Sequence, residues 1–288
     1  MNRPIALLTD FGLADAYVGT MKGVMLSICP TAHLIDITHD IRPQQIRQAA
    51  YMLWTTYRYF PPDTIFMVVV DPGVGTSREP IAVATDHGIF VAPDNGVLSY
   101  VLNERTIRHS VRLQNPAYRL ADVSQTFHGR DIFSPAAAHL ANGVPVDELG
   151  PVQPELVRLD NLHLTIEIAR ETTQIRGEVL HIDQFGNVIT SIGQLSWIDE
   201  HIVQLIPSFG QITEPLPNFP VQHSCVTISA HKICPIQRTY GRVAPGTLVA
   251  LVGSSGQLEI GINQGHAAQT LGATSGDAVT LTITHNQD

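Results

Sequence analysis

The sequence predicts an α/β domain built on a mostly parallel sheet with helices on both faces, followed by a smaller, all-β, barrel-like domain. Three observations carry that expectation. Short apolar, β-branched runs without polar alternation, such as residues 64–70, read as strands buried on both faces. Over residues 4–70 such runs alternate with helix-periodic segments in the order β-α-β-α-β, the mark of a Rossmann-like parallel sheet. Beyond Pro151 the pattern changes to short alternating segments separated by turn residues. The change falls within residues 151–165 and divides the chain into an α/β domain, 1–160, and a β-rich domain, 161–288.

In chain order, residues 4–8 form an apolar run that stops at Thr9-Asp10-Phe11-Gly12. Over residues 15–28 the apolar positions Val18, Met21, Val24, Met25 and Ile28 have helical spacing, with Asp15 as the expected N-cap and Pro30 as the stop. Residues 33–37 read as a strand and 44–59 as a helix closed by Pro61-Pro62. The strand over 64–70 ends at Asp71, and Pro72 and Gly73 turn the backbone away. Residues 81–84 and 89–91 flank Asp86-His87-Gly88 as a hairpin, and Asp94-Asn95-Gly96 turns into a short helix. An Ala-rich helix follows residues 126–131 and ends at Asn142-Gly143. The second domain is expected to place strands near 164–168, 175–182, 226–228, 248–252, 258–262 and 278–283.

The net charge of -9 disfavours nucleic acid and anionic membranes as partners. Asp10 interrupts the first apolar run, so no signal peptide is read there, and no stretch approaches the ~20 apolar residues of a spanning helix. A soluble, cytoplasmic protein is expected. The three cysteines, Cys29, Cys225 and Cys234, are odd in number and lack CxxC spacing, so neither a disulfide framework nor a zinc site is expected.

Asp71 stands at the carboxyl end of a central parallel strand, where open α/β sheets hold ligands. Arg78 follows after a Gly-rich loop short enough to bring its guanidinium back to Asp71, and by itself that pair equally suits a structural tie for the loop. Asp10-Phe11-Gly12 lacks the companions of a kinase motif, and Gly73-Val74-Gly75 lacks the third glycine of a dinucleotide fingerprint. His33, Asp36, His39 and Asp40 suggest a metal cluster, but alternating strand positions turn His33 and Asp36 apart, so no metal site is expected. On residue type alone, Asn95-Gly96 reads as a turn and Phe185 as packing.

Seven segments together resemble one family. They are Leu8-Thr9-Asp10-Phe11-Gly12, Tyr17-Val18-Gly19 with Met21-Lys22-Gly23, residues 70–78, Ala92-Pro93-Asp94-Asn95-Gly96, residues 126–133, Ile182-Asp183 with Phe185-Gly186-Asn187, and residues 251–256. The sequence closely resembles the S-adenosylmethionine hydroxide adenosyltransferases, relatives of the fluorinating and chlorinating enzymes that use the same substrate. The resemblance implies hydrolysis of S-adenosyl-L-methionine to adenosine and L-methionine by attack of an activated water on ribose C5′, with Asp71, Arg78 and His128 as the catalytic set. It implies that Asp10 accepts the ribose hydroxyls and that Phe127, Asn95 and the loop of Asp183, Phe185 and Asn187 supply pocket wall and polar anchors. Ser254 and Ser255 would contact the methionine or adenine end, and Phe11, Asp15 and Asn263 would belong to the same pocket. No cofactor is implied, S-adenosyl-L-methionine being the substrate. The family's trimers, with sites shared between subunits, imply a homotrimer here.

Two other readings stay open at this point. A halide-using relative carries a tyrosine where this chain has Asp71, and a fixed carboxylate repels a halide. A non-catalytic S-adenosylmethionine or adenosine sensor would be favoured by loss of a catalytic residue, and Asp71, Arg78 and His128 are all present.

Overall fold

The computed structural model describes residues 3–160, 164–207 and 216–285. The chain divides into two compact units, Met1–Leu159 and Asp160–Asp288. In the first unit the elements are β1 (Ile5–Thr9), α1 (Tyr17–Ile28), β2 (Leu34–Thr38), α2 (Ile46–Thr56), β3 (Ile65–Val69), β4 (Pro80–Thr85), β5 (Ile89–Pro93), α3 (Ser99–Glu104), β6 (Ile107–Arg112) and α4 (Ser134–Ala141). The six strands form one sheet in the order β2-β1-β3-β5-β4-β6. The first three neighbouring pairs are parallel, and β4 runs antiparallel to β5 and β6.

Every residue of β1, β3 and β5 is buried, as unbroken apolar runs in a two-sided sheet require. Odd-numbered side chains (Ile5, Leu7, Ile65, Met67) pack with Met21 and Met25 of α1 and the alanines of α4. Alternation sends Phe66 to the opposite face, where it stacks on Phe90 and Tyr57 meets Phe90 edge-on. The parallel order reverses direction between β1 and β3, which puts the topological switch point at their carboxyl ends.

Asp15 does not cap α1. The helix starts at Tyr17 with Ala16 at the cap and no side-chain bond there. Its first hydrogen bond, Thr20 N–H to Ala16 O, lies too far along for the exposed Asp15 carboxylate to reach orphan amides.

The second unit contains β7 (Thr165–Ile168), β8 (Thr172–Ile182), β9 (Val188–Thr190), β10 (Leu195–Trp197), β11 (Ile202–Leu205), β12 (Phe219–Pro220), β13 (Ser224–Ile228), β14 (His231–Ile233), β15 (Leu248–Val252), β16 (Leu258–Ile262), α5 (Ala267–Leu271) and β17 (Ala278–Thr284). The main path is β14-β13-β17-β8-β9-β16-β15, with β7 added to β8, and β10-β11-β12 form a small separate sheet. Gln237 bridges to Leu251 of β15, with its N–H bonded to Ala250 O at 2.7 Å. That contact joins the two ends of the path into a nearly closed barrel around Ile175, Val226, Ile260 and Leu281.

Cys225 and Cys234 form a single disulfide, which the cysteine count did not point to. Val226 pairs with Ile233 across the β13–β14 hairpin, so the next pair outward is the two cysteines, with Cα atoms 4.5 Å apart. Sequence spacing carried no sign of this because the hairpin, not a motif, brings them together. Cys29, the third, is buried and lies outside that disulfide.

Candidate active site

Asp71 follows β3 by two residues, and Val74 N–H closes a turn onto its carbonyl at 3.2 Å. Thr76 then bonds Gly73 O through both N–H and hydroxyl, which bends the chain so that Arg78 faces back. Arg78 Nε donates to Asp71 Oδ1 at 2.9 Å, and Nη2 donates to Asp71 Oδ2. Both side chains are more than nine-tenths buried. A two-pronged pair of this kind fixes geometry as well as charge. The guanidinium also lies over the Phe133 ring, 5.4 Å from its centroid.

His128 arrives from a remote loop, with Nδ1 2.8 Å from Arg78 Nη2. The loop is followed by a π-helical turn, Gly129–Phe133, in which Ser134 N–H bonds Gly129 O. Buried Asp131 anchors it by accepting from Ser124 N–H at 2.9 Å and from Arg130. Gly75 joins the two loops: at φ +75 its position would put a Cβ 2.5 Å from Gln125 O. His128 is held below its ordinary pKa, first by burial and then by the charge of Arg78, with Asp71 opposing.

Asp10 lies just past β1, across the switch point. Its Oδ2 accepts Gln44 N–H at 2.8 Å from a turn in which Gln44 has φ 67. Burial pushes its carboxyl above the ordinary range, and the nearby charge of Asp71 adds to that against the Gln44 bond. Beside it Phe11, Tyr17 and Phe127 make a three-ring cluster with centroids 5.1–5.9 Å apart. Gly129 permits that packing, since a Cβ there would lie 2.9 Å from Met21 Sδ and 3.2 Å from Phe11. Asn95 is engaged by the protein. Its Nδ2 donates to Val70 O at 2.9 Å and its Oδ1 accepts from Val97 N–H, which steadies the strand end that carries Asp71.

In the second unit, Phe185, Asn187, Ser254, Tyr240 and Glu259 line a groove of about 780 Å³. Phe185 is 67% exposed, so within its unit it does not pack as residue type suggested. Asp183 shapes the turn: Oδ1 accepts from the N–H groups of Phe185 and Asn187, both at 2.9 Å, and Oδ2 accepts from Asn187 Nδ2. Tyr240 OH donates to Glu259 Oε1. Burial pushes the Glu259 carboxyl up, and Asp183 adds to the shift. Asn263 is occupied by the protein, donating to Val243 O at 2.7 Å.

Residues 5–150 match the family model described as the SAM hydroxide adenosyltransferase N-terminal domain, and residues 177–280 match the corresponding C-terminal domain. The chain belongs to the SAM hydroxide adenosyltransferase family. It is 39% identical over 281 residues to a Salinispora tropica protein named (R)-S-adenosyl-L-methionine hydrolase, covering 96% of this chain and 97% of that one. A Thermus thermophilus protein of the same name is 36% identical and is covered to 99%. A Nocardia brasiliensis fluorinase is more distant, at 29% over 66% of this chain. The fold is similar to a solved Thermotoga maritima structure described as an uncharacterized conserved protein, with TM-score 0.81 and 35% identity over 96% of this chain.

Within the SAM hydroxide adenosyltransferase frame, the N-terminal match holds Asp10, Asp71, Arg78 and His128 together, and the C-terminal match holds the groove. Asp15 stays exposed, and Ser255 does not line the groove. Sequence reasoning passed over Tyr17, Gln44 and the Tyr240–Glu259 pair as site residues. Tyr17 carried a signal, an aromatic within a quoted motif at the start of a helix. Gln44 enters through its backbone, which no side-chain pattern reveals.

Proposed function

We propose that the protein hydrolyses S-adenosyl-L-methionine to adenosine and L-methionine by in-line attack of water on ribose C5′, with Asp71, Arg78 and His128 as the catalytic set. The observation that carries this reading is that Arg78 bonds Asp71 and His128 at once, at the carboxyl end of β3. The leaving group is a neutral thioether, so the reaction needs no general acid at sulfur, and its difficulty lies in placing and activating a weak nucleophile. Asp71 retains acceptor capacity beyond the two bonds from Arg78 and takes a proton or a strong hydrogen bond from the water. Arg78 stays charged and favours hydroxide-like character in that water. His128 turns Nε2–H toward the oxygen and orients the water, whose proton passes to Asp71.

Asp10 takes the ribose hydroxyls, and Phe11, Tyr17 and Phe127 form an apolar wall. Asp183, Asn187 and Asn95 act by shaping loops, whereas Phe185 and Ser254 are placed for direct contact with the nucleoside or amino-acid end. The names of the 36–39% identical relatives support this substrate and specify its (R) form. A homotrimer with sites completed by neighbouring subunits is part of the proposal, and sedimentation analysis tests it. No helix among the described residues is long and apolar enough to cross a membrane. A cytoplasmic location is proposed, and the Cys225–Cys234 bond is its sharpest test, because thiol pools there keep most disulfides reduced.

The deciding experiment incubates the protein with each sulfonium epimer of S-adenosyl-L-methionine in ¹⁸O-water containing chloride. Adenosine labelled at the 5′-hydroxyl is expected. A 5′-chlorinated nucleoside, or no turnover with either epimer, overturns the proposal.

A further inference from the structure

His39 follows β2 and packs beside the end of β1, because Leu8 pairs with Thr38 in the parallel register. It is 3% exposed, and its Nδ1 lies 2.8 Å from Thr9 Oγ1. Thr9 is fully buried, and its hydroxyl oxygen accepts Phe11 N–H at 3.3 Å. The hydroxyl hydrogen then needs an acceptor, and among the described residues Nδ1 of His39 is the one in reach. The imidazole proton therefore sits on Nε2, which lies 3.0 Å from Asp36 Oδ1. The other oxygen of Asp36 accepts Lys22 Nζ at 2.6 Å. His39 grips the same loop a second way, through its carbonyl, which accepts Gly12 N–H at 2.8 Å.

These bonds form one directed chain. Phe11 N–H donates to Thr9 and Thr9 to His39, while Nε2 of His39 faces Asp36 Oδ1 at 3.0 Å as a close polar contact, and the Lys22 ammonium holds Asp36 from the other side. Asp10 sits between the two points where the chain and the His39 carbonyl hold the loop. Of the residues that suggested a metal cluster, Asp36 is engaged by Lys22 and lies 3.0 Å from His39 Nε2.

We propose that His39 is a positioning residue that, backed by Asp36, sets the Asp10-Phe11-Gly12 loop and so governs binding at the nucleoside end without touching the reacting atoms. This rests on the reading of Asp10 as the ribose anchor. Two near-isosteric variants separate the halves of the chain. In His39→Asn the amide oxygen stands where Nδ1 was and keeps the Thr9 bond, whereas His39→Gln reaches Asp36 and leaves the Thr9 hydroxyl without its acceptor.

With S-adenosyl-L-methionine, His39→Gln is expected to raise KM about tenfold and His39→Asn less than about threefold, kcat staying within about threefold in both. Equal KM effects, or a fall in kcat at unchanged KM, overturn the proposal. Amide exchange at Phe11 gives a reading independent of substrate: it should quicken in His39→Gln and not in His39→Asn. An unchanged rate in His39→Gln overturns the positioning role. If Asp10→Ala leaves KM unchanged while the exchange result holds, the ribose reading fails and the loop-setting role stands. For the unaltered protein, ¹⁵N-histidine spectra should show His39 as the Nε2–H tautomer, and the Nδ1–H form overturns the chain even if neither variant folds.

Discussion

Arg78 donates from Nη2 to Nδ1 of His128 at 2.8 Å, and because a guanidinium only donates, the imidazole carries its proton on Nε2. His128 therefore offers a donor on the side remote from Arg78, and one guanidinium sets the state of both its partners. Lysine cannot reproduce that fork. Arg78→Lys is expected to lower kcat by ~10²–10³ with KM changed only a few-fold, measured from initial rates of adenosine release. A loss confined to KM would assign Arg78 to substrate binding instead.

The pH dependence has a defined sign. His128 has a native pKa lowered from 6.5 by burial and then by Arg78, so the unfolded chain binds this proton more readily than the folded one. Its contribution to stability is present above about pH 6.5 and is lost as the pH falls from there through the lowered native value. Thermal melts of His128→Asn should show a flatter fall in Tm below pH 6.5 than the parent protein. His139, also lowered by burial, supplies a second contribution that this variant keeps. An unaltered Tm profile in His128→Asn would contradict the burial argument.

Gly75 should tolerate no side chain. Its φ of +75 disfavours L-residues, and a Cβ would meet Gln125 O at 2.5 Å. Gly75→Ala is expected to cost about 1–3 kcal/mol and to depress kcat by separating Arg78 from His128. Urea denaturation and turnover on the same sample check both, and full activity with lowered stability would show that the loops relax independently.

The Cys225–Cys234 bond closes a loop with a sequence separation of 9. A loop of that size gives a disulfide about 2–3 kcal/mol of stabilisation in the chain-entropy picture. Cys225→Ser should lower the unfolding free energy from urea denaturation by that amount, and a strong reductant should do the same to the parent protein. Intact mass before and after thiol alkylation measures the bond directly.

Much of the site was legible because it obeys local rules. A buried apolar run that halts at Asp71 marks a strand end, and Pro72 and Gly73 mark the turn that returns Arg78. The link of His128 to Arg78 was reachable only by resemblance, since 50 residues separate the two and no periodicity joins their loops. Asp15 looked like a cap from residue type, but capping depends on where the first amide bond forms. Asp183 and Asn263 carried polar side chains into loops, as ligand contacts do, yet spend their bonds on backbone and neighbouring groups. The small sheet of β10, β11 and β12 was missed because strands of two to four residues are too short for alternation to register.

The five-residue π-helical turn after His128 sets how that side chain can be carried to another framework. Each residue advances an α-helix by roughly 100°, so trimming Gly129–Phe133 to ordinary pitch would rotate the imidazole away from Arg78 while leaving α4 packed with Met21 and Met25 of α1. Deleting a residue there should therefore cost the contact with Arg78, and anyone transplanting the three side chains to another scaffold must carry the widened coil along with them.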